Sequence, residues 1–399
     1  MARLLAYLAC FVLSSQIVLA QKPTSCGEHN KCPENAPCCS QYGECGLGAY
    51  CLGGCDPKYS FSLESCVPAP ICKSMKYNFN NLDNIAPRTK YLGDANKSDW
   101  VSSGNPLTAN GNLVMTMAPD TVGTLLSSAH YVWYGKVSAT LKTSRGAGVI
   151  TAFIFMSDVK DEIDFEFVGT DLHTAQTNYY FQGITDYTKG KNLSVDSNTF
   201  SDYHTYSIEW TPDSVTWFID GQPLRTVLKK DTFDKGDNKY HYPQSPSRLQ
   251  LSLWAGGKES APEGTIQWGG GLSATIPPSG AKINGSVSYI YTDAAGTEDT
   301  VMITDKSTVL KSFLGSGTDM GKNESKPGET DVPMIPGLNG AGIGANGQIP
   351  SGNDSNGPST DFTGPSDKHG SSGAPSENER VLKGSIFAVL VAVMVLVTM

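Results

Sequence analysis

Between Asp161 and Phe167 the chain reads Asp-Glu-Ile-Asp-Phe-Glu-Phe, with acidic and apolar residues in alternation. At the period of two that a strand imposes, Glu162, Asp164 and Glu166 share one face and Ile163, Phe165 and Phe167 the other. The apolar face belongs to a core. The acidic face is the anomaly, because like charges along one strand face repel and disfavour the strand. Paired catalytic carboxylates explain it, as do a solvated edge strand or a calcium site. Retaining cleavage of a glycosidic bond needs two carboxyl groups about 5–5.5 Å apart, one nucleophilic and one a proton donor. Residues four apart on a strand have Cα atoms about 13 Å apart. Two Glu side chains leaning together over a concave sheet close much of that gap, with Asp164 between them to hydrogen-bond Glu162. Crowding of like charges then raises one Glu so that it stays protonated as the acid.

Sugar binding calls for aromatic platforms, although most strand aromatics are ordinary core. Trp254 stands out because the small residues Ala255-Gly256-Gly257 follow it and leave the indole room to face a cleft. Tyr179, Trp210, Trp217, Arg225 and Trp268 complete the candidate substrate-binding set. The six histidines are scattered, and neither HExxH nor GxSxG occurs, so metalloprotease and serine-hydrolase chemistry lack support. No cofactor and no metal is expected. The GxGxxG match Gly342–Gly347 has no strand before it and no helix after it, and is a chance match in a Gly-rich tract.

The elements around these residues read as all-β. Runs at Asn112–Pro119, Lys136–Thr143, Val149–Met156, Glu162–Val168, Thr205–Glu209, Ser214–Ile219 and Leu249–Leu253 are β-prone and several alternate. Thr211-Pro-Asp-Ser214 and Asp220-Gly221 supply turns. Long helical periodicity is missing, so the expectation is one sandwich of two curved antiparallel sheets.

The 399 residues carry a net charge of −9, which argues against a nucleic-acid partner. Arg3, the apolar run Leu4–Val12 and Val18-Leu19-Ala20 form a secretory signal over residues 1–20. Of ten cysteines, nine lie between Cys26 and Cys72; such density reads as disulfides stapling a small secreted module. Asn96, Asn192, Asn284, Asn323 and Asn353 are glycosylation sequons. Residues 315–373, rich in Gly, Ser, Pro, Asn and Asp, read as a disordered stalk. The last apolar run, Ile386–Met399, is shorter than the ~20 residues a membrane helix needs. Small residues around Ser372, a polar spacer and this run match a glycosylphosphatidylinositol-anchor signal over 374–399, with Ser372 the attachment site.

Glu162-Ile-Asp-Phe-Glu166 resembles the ExDxE signature of glycoside hydrolase family 16. Tyr206–Asp213, Trp217–Gly221, Leu251–Gly257 and Gly264–Trp268 extend the match to the Crh-type fungal wall transglycosylases within it. The resemblance spans about Cys66–Leu314 and implies a β-jelly-roll catalytic domain over 69–314, with Glu162 as nucleophile, Glu166 as acid/base and Asp164 assisting. It implies a chitin-type donor held on the enzyme and passed to a β-glucan or chitin acceptor, by a monomer at the wall and the outer face of the plasma membrane. A plain hydrolase of the same fold and a non-catalytic chitin-binding wall protein are the rival readings. Residues 21–68 resemble a hevein-like, family 18 chitin-binding module through Cys38–Gly46 and Tyr50-Cys51. In that likeness Ser40, Tyr42 and Tyr50 fit the sugar-gripping positions, while Glu44 stands where the family has an aromatic. The same likeness implies Cys26–Cys39, Cys32–Cys45 and Cys38–Cys51, and leaves the pairing of Cys55, Cys66 and Cys72 open.

Overall fold

The structure is a computed structural model that describes residues 24–109, 111–117, 121, 123–257, 261–271, 278–279, 288–297, 300–304 and 306–322, and the backbone of 394–398. The expected signal at 1–20, Asn284, Asn323, Asn353, Ser372 and most of the expected stalk lie outside these residues.

Two large sheets form the body. Their strands, numbered in chain order, are β1 (Met75–Asn78), β2 (Ile85–Pro87), β3 (Trp100–Ser103), β4 (Gly123–Val132), β5 (Gly135–Leu141), β6 (Val149–Ser157) and β7 (Glu162–Val168). They continue as β8 (Thr174–Tyr180), β9 (Lys191–Ser194), β10 (His204–Trp210), β11 (Ser214–Ile219), β12 (Gln222–Leu228), β13 (Ser247–Ala255) and β14 (Met394–Thr398). One sheet runs β9-β8-β7-β6-β13-β4-β3-β2 and the other β12-β11-β10-β5-β14-β1. Apart from the parallel pair β2–β3, the pairings are antiparallel.

Alternation builds the core between them. Phe153 and Phe155 of β6, Ile163, Phe165 and Phe167 of β7, and Leu249, Leu251 and Leu253 of β13 meet Tyr206, Ile208, Trp210, Val215 and Trp217 from the second sheet. Phe165 and Phe167 lie 5.4 and 4.6 Å from the Tyr206 ring. Truncating either to Ala would cost about 3–5 kcal/mol, which fixes the face that β7 must bury and hence the face its carboxylates must occupy.

The amino-terminal module contains the disulfides Cys26–Cys39, Cys32–Cys45, Cys38–Cys51 and Cys55–Cys66. Cys72 is buried and free. Residues 315–322, expected to begin the stalk, instead fold back on this module. The Gly48 N–H donates to the Gly315 carbonyl (2.8 Å), the Gly317 N–H to Ser65 (2.7 Å) and the Lys311 N–H to Met320 (3.0 Å). Leu310 and Met320 anchor the segment in an apolar cluster with Tyr50, Leu52 and Tyr91, which composition alone did not reveal. β14 falls within the segment read as an anchor signal: its backbone pairs with Lys136–Thr140 of β5 on one side and Met75–Asn78 of β1 on the other.

Candidate active site

β7 presents its carboxylates as the alternation predicts, on the face turned away from the core. Asp164 is 2% exposed while Glu162 and Glu166 are partly open. The register defines what surrounds them. Glu162 lies opposite Met156 and Tyr180, Asp164 opposite Ile154 and Asn178, and Glu166 opposite Ala152 and Gln176. Beyond β6, Arg248, Gln250 and Ser252 of β13 continue these rows on the same face, and Trp254, opposite Ile150, lies one row beyond that of Glu166.

Burial raises all three carboxyls, and repulsion by their neighbours adds to it at Glu162 and Glu166. Glu162 is pushed well above the usual carboxylate range, first by burial and then by Asp164 and Glu166. Glu166 is pushed up to about 8 by burial, with Asp164 second. Asp164 is raised to about 7 by burial, held back by the Asn178 N–H and the charge of Arg225. The Asn178 amide donates to Asp164 Oδ1 at 2.7 Å. Of the three, Asp164 therefore gives up its proton first, and the trio retains protons at neutral pH. The turn that leads into β7 is clamped as well. Asp161 accepts from Gln244 N–H (2.8 Å), Ser245 N–H (3.0 Å), Ser245 Oγ–H (2.6 Å) and Gln182 N–H (2.9 Å).

Two of the sugar-contact candidates lie on the carboxylate face. Trp254 and Trp268, the latter ending the helix α1 (Glu263–Trp268), stack with ring centroids 6.0 Å apart. Trp268 Nε1–H donates to Gln176 Oε1 at 2.8 Å, which sets the pair beside the Glu166 row. Four candidates lie elsewhere and are corrected here. Trp210 and Trp217 are fully buried in the core, so no sugar can stack on them. Trp217 Nε1–H instead donates to the Asp164 carbonyl at 2.9 Å and pins the catalytic strand from behind; Trp210 donates to the Pro243 carbonyl at 3.0 Å. Tyr179 pairs with Ile163 and shares its core-facing side. Arg225 packs over Trp217 (4.5 Å) and Tyr179 (5.8 Å) and donates to the carbonyls of Thr177 (2.6 Å) and Lys189 (2.5 Å), stapling β8 to the second sheet. Tyr180, Asn178, Gln176 and Gln250 face the carboxylates but were not singled out from sequence. Finding them requires the β7–β8 and β6–β13 registers.

Two of the module's proposed sugar-gripping residues are likewise corrected. Ser40 and Tyr50 are 2% and 1% exposed, and Tyr50 sits in the apolar cluster that joins the module to the main body. Tyr42 lies against Arg88, 5.5 Å from the guanidinium. Asn96 and Asn192 are exposed. Among the described residues, Asp234, Asp237 and His241 could hold a metal; they stand at an exposed hairpin where His241 already pairs with Asp237 at 3.0 Å.

The profile of "Glycosyl hydrolases family 16" matches residues 94–270. Crh-like protein 2 of Aspergillus fumigatus is 48% identical over 444 aligned positions, covering 99% of this chain and 98% of that protein. Congo red hypersensitive protein 2 of Saccharomyces cerevisiae is 41% identical, covering 80% of this chain and 74% of that protein. The solved structure of a Crh5 transglycosylase in complex with NAG superposes with a TM-score of 0.51 at 28% identity, over 62% of this chain and 99% of that one. A likeness that runs the length of a relative, together with the carboxylate strand, the two-sheet body and the matched profile, means that the chain belongs to glycosyl hydrolase family 16, within its Crh-like group.

Proposed function

We propose that this chain is a retaining cell wall transglycosylase that cleaves a chitin-type β-1,4 donor and passes it to a β-glucan or chitin acceptor. The observation that carries the reading is the clustering of Glu162, Asp164 and Glu166 on one face of β7, where burial leaves them sharing protons. Glu162, once ionised, attacks the anomeric carbon. The glycosidic C–O bond breaks, and Glu166 gives its proton to the leaving oxygen. Asp164 takes up the proton that Glu162 must shed, a transfer favoured as positive charge develops on the sugar. In the second step Glu166 removes the proton from an acceptor hydroxyl, which attacks the glycosyl ester and restores Glu162. Trp254 and Trp268 supply the stacking platform next to Glu166.

A chitin-type donor is supported by the similar Crh5 transglycosylase solved with NAG, and the wall setting by the Crh-like relatives. The signal and tail patterns support secretion and a lipid anchor at the outer membrane face. Incubation of the secreted chain with chitin oligomers and a labelled glucan acceptor tests the reading. Hybrid product is expected, and reducing ends without hybrid product would make it a hydrolase. Glu162→Gln is expected to lose activity at least 100-fold with an unchanged circular-dichroism spectrum. A variant that retains wild-type turnover would remove Glu162 as the nucleophile, and no turnover in either chain would leave the non-catalytic wall-protein reading.

A further inference from the structure

The amino-terminal module does not stand apart from the carboxylate face; it is built onto it. Glu162, Met156, Arg248 and Tyr131 are direct cross-strand partners in one row, so their side chains leave the sheet on the same side. Asp164, Ile154, Gln250, Ser127 and Val101 form the next row. At the far end of both rows the module is in contact. Arg248 donates to Gln41 Oε1 at 2.9 Å. Val101 and Ala129 pack into one apolar cluster with Tyr50, Leu52 and Cys55.

The module also holds the turn that launches the catalytic strand. The Gly54 N–H and the Tyr131 hydroxyl both donate to Asp158 Oδ1, at 2.8 and 2.6 Å, and Lys58 Nζ donates to Gln182 Oε1 at 3.0 Å. Tyr50, a residue a free sugar-binding module would offer, is consumed in this arrangement, while the Ser40 hydroxyl accepts from Glu44 N–H of its own module at 3.3 Å. Along the Glu162 row β6 alone stands between the carboxylate strand and Arg248, where Gln41 of the module docks, two strand spacings or about 10 Å away; along the Asp164 row β6, β13 and β4 precede Val101. The floor of that interval carries polar atoms without a protein partner: Gln250 Oε1 and Nε2, and Ser252 Oγ. Buried groups of this kind are satisfied by water or by a ligand. Towards β8 the module reaches Gln182, past the end of that strand, while the face residues Gln176, Asn178 and Tyr180 bond to Trp268 and to one another.

We propose that the module is a fixed end wall of the sugar-binding face, limiting one side of the scissile bond to about two sugar rings, the width of two strands, and leaving the other side open. The proposal rests on the enzymatic reading above and deepens it: it assigns the site an asymmetric set of subsites. It also removes the module from the role of independent chitin binder.

The test is a cleavage map of the full secreted chain on chito-oligosaccharides from tetramer to octamer, labelled at the reducing end. On one side of the cut the rate should stop rising after about two units, while on the other each added unit raises it further. Gly54→Leu supplies a second arm. Gly54 has φ +89°, and a Cβ there would meet Gln41 Oε1 at 2.7 Å and Arg248 Nη2 at 2.8 Å, so the substitution strains the backbone and parts the Arg248–Gln41 contact. In a folded Gly54→Leu with faster amide exchange in the module, the cut should move so that longer segments occupy the walled side, by at least 5-fold in product ratio. Equal lengthening on both sides in the wild type overturns the wall alone, as does an unchanged map in the displaced variant. Absence of any turnover overturns the enzymatic reading and the wall with it. Where Gly54→Leu does not fold, the wild-type map decides.

Discussion

Three carboxyls within one buried strand face are a cost that the fold carries for chemistry, and the cost has a sign. The Glu166 carboxyl stands at about 8 in the folded protein against 4.5 for an ordinary glutamate. Between those values the folded chain binds more protons than the unfolded one, so unfolding releases protons and stability falls as pH rises through this window. Glu166→Gln removes that liability. In urea titrations it should match wild type near pH 4 and be more stable near pH 8, by on the order of a few kcal/mol. In the proposed acid role the same residue sets the alkaline limb of activity. The acid must carry a proton, so turnover should decline above about pH 8. In Glu166→Gln the rate should fall about 10²–10⁴-fold, and the remnant should lose that limb. A variant less stable than wild type at pH 8 would mean that the carboxyl is not held protonated by its surroundings.

At the scale of elements, what could be read from sequence was the periodicity within a strand, and what could not was the register between strands. The side of β7 that carries Glu162, Asp164 and Glu166 follows from Ile163, Phe165 and Phe167 alone. Tyr179 and Tyr180 are adjacent, and only the pairing of Glu162 with Tyr180 decides which of them sees substrate. Trp217 and Trp210 failed as platforms for the same reason: an indole in an alternating strand carries no mark of which sheet covers it. The cysteines show the complementary limit. Their crowding declared a stapled module, but the choice among Cys55, Cys66 and Cys72 required their positions. Cys55 pairs with Cys66. The Cys72 thiol is pushed up to about 12 by burial, and a thiol so deprived of its thiolate is a poor nucleophile. Iodoacetamide should therefore leave Cys72 unlabelled in the folded protein and label it after denaturation without reductant. Labelling in the folded state would show that the start of the catalytic body opens.

Across the whole molecule, two roles compete for the carboxyl-terminal tail. The tail reads as an anchor signal to be removed after Ser372, yet Met394–Thr398 of that tail is β14, between β5 and β1. Both readings draw on the same apolar composition: Met-Val-Leu-Val-Thr suits a buried strand as well as a hydrophobic signal. They cannot hold together in one mature chain. Anchoring at Ser372 would remove β14, leave Lys136–Thr140 without its partner on that side and detach Met75–Asn78 from the sheet, since β1 has no other strand neighbour among the described residues. An unpaired interior edge of this kind is open to solvent and to foreign strands. We expect the anchor to prevail in the secreted enzyme: phospholipase treatment of membranes should release it, and its terminal peptide should end near Ser372. The slot should then show as faster amide exchange over 136–140 in a chain ending at Ser372 than in the uncut chain. Recovery of a terminal peptide ending at Met399 from the mature protein would rule out the anchor and make the tail a permanent strand of the catalytic body.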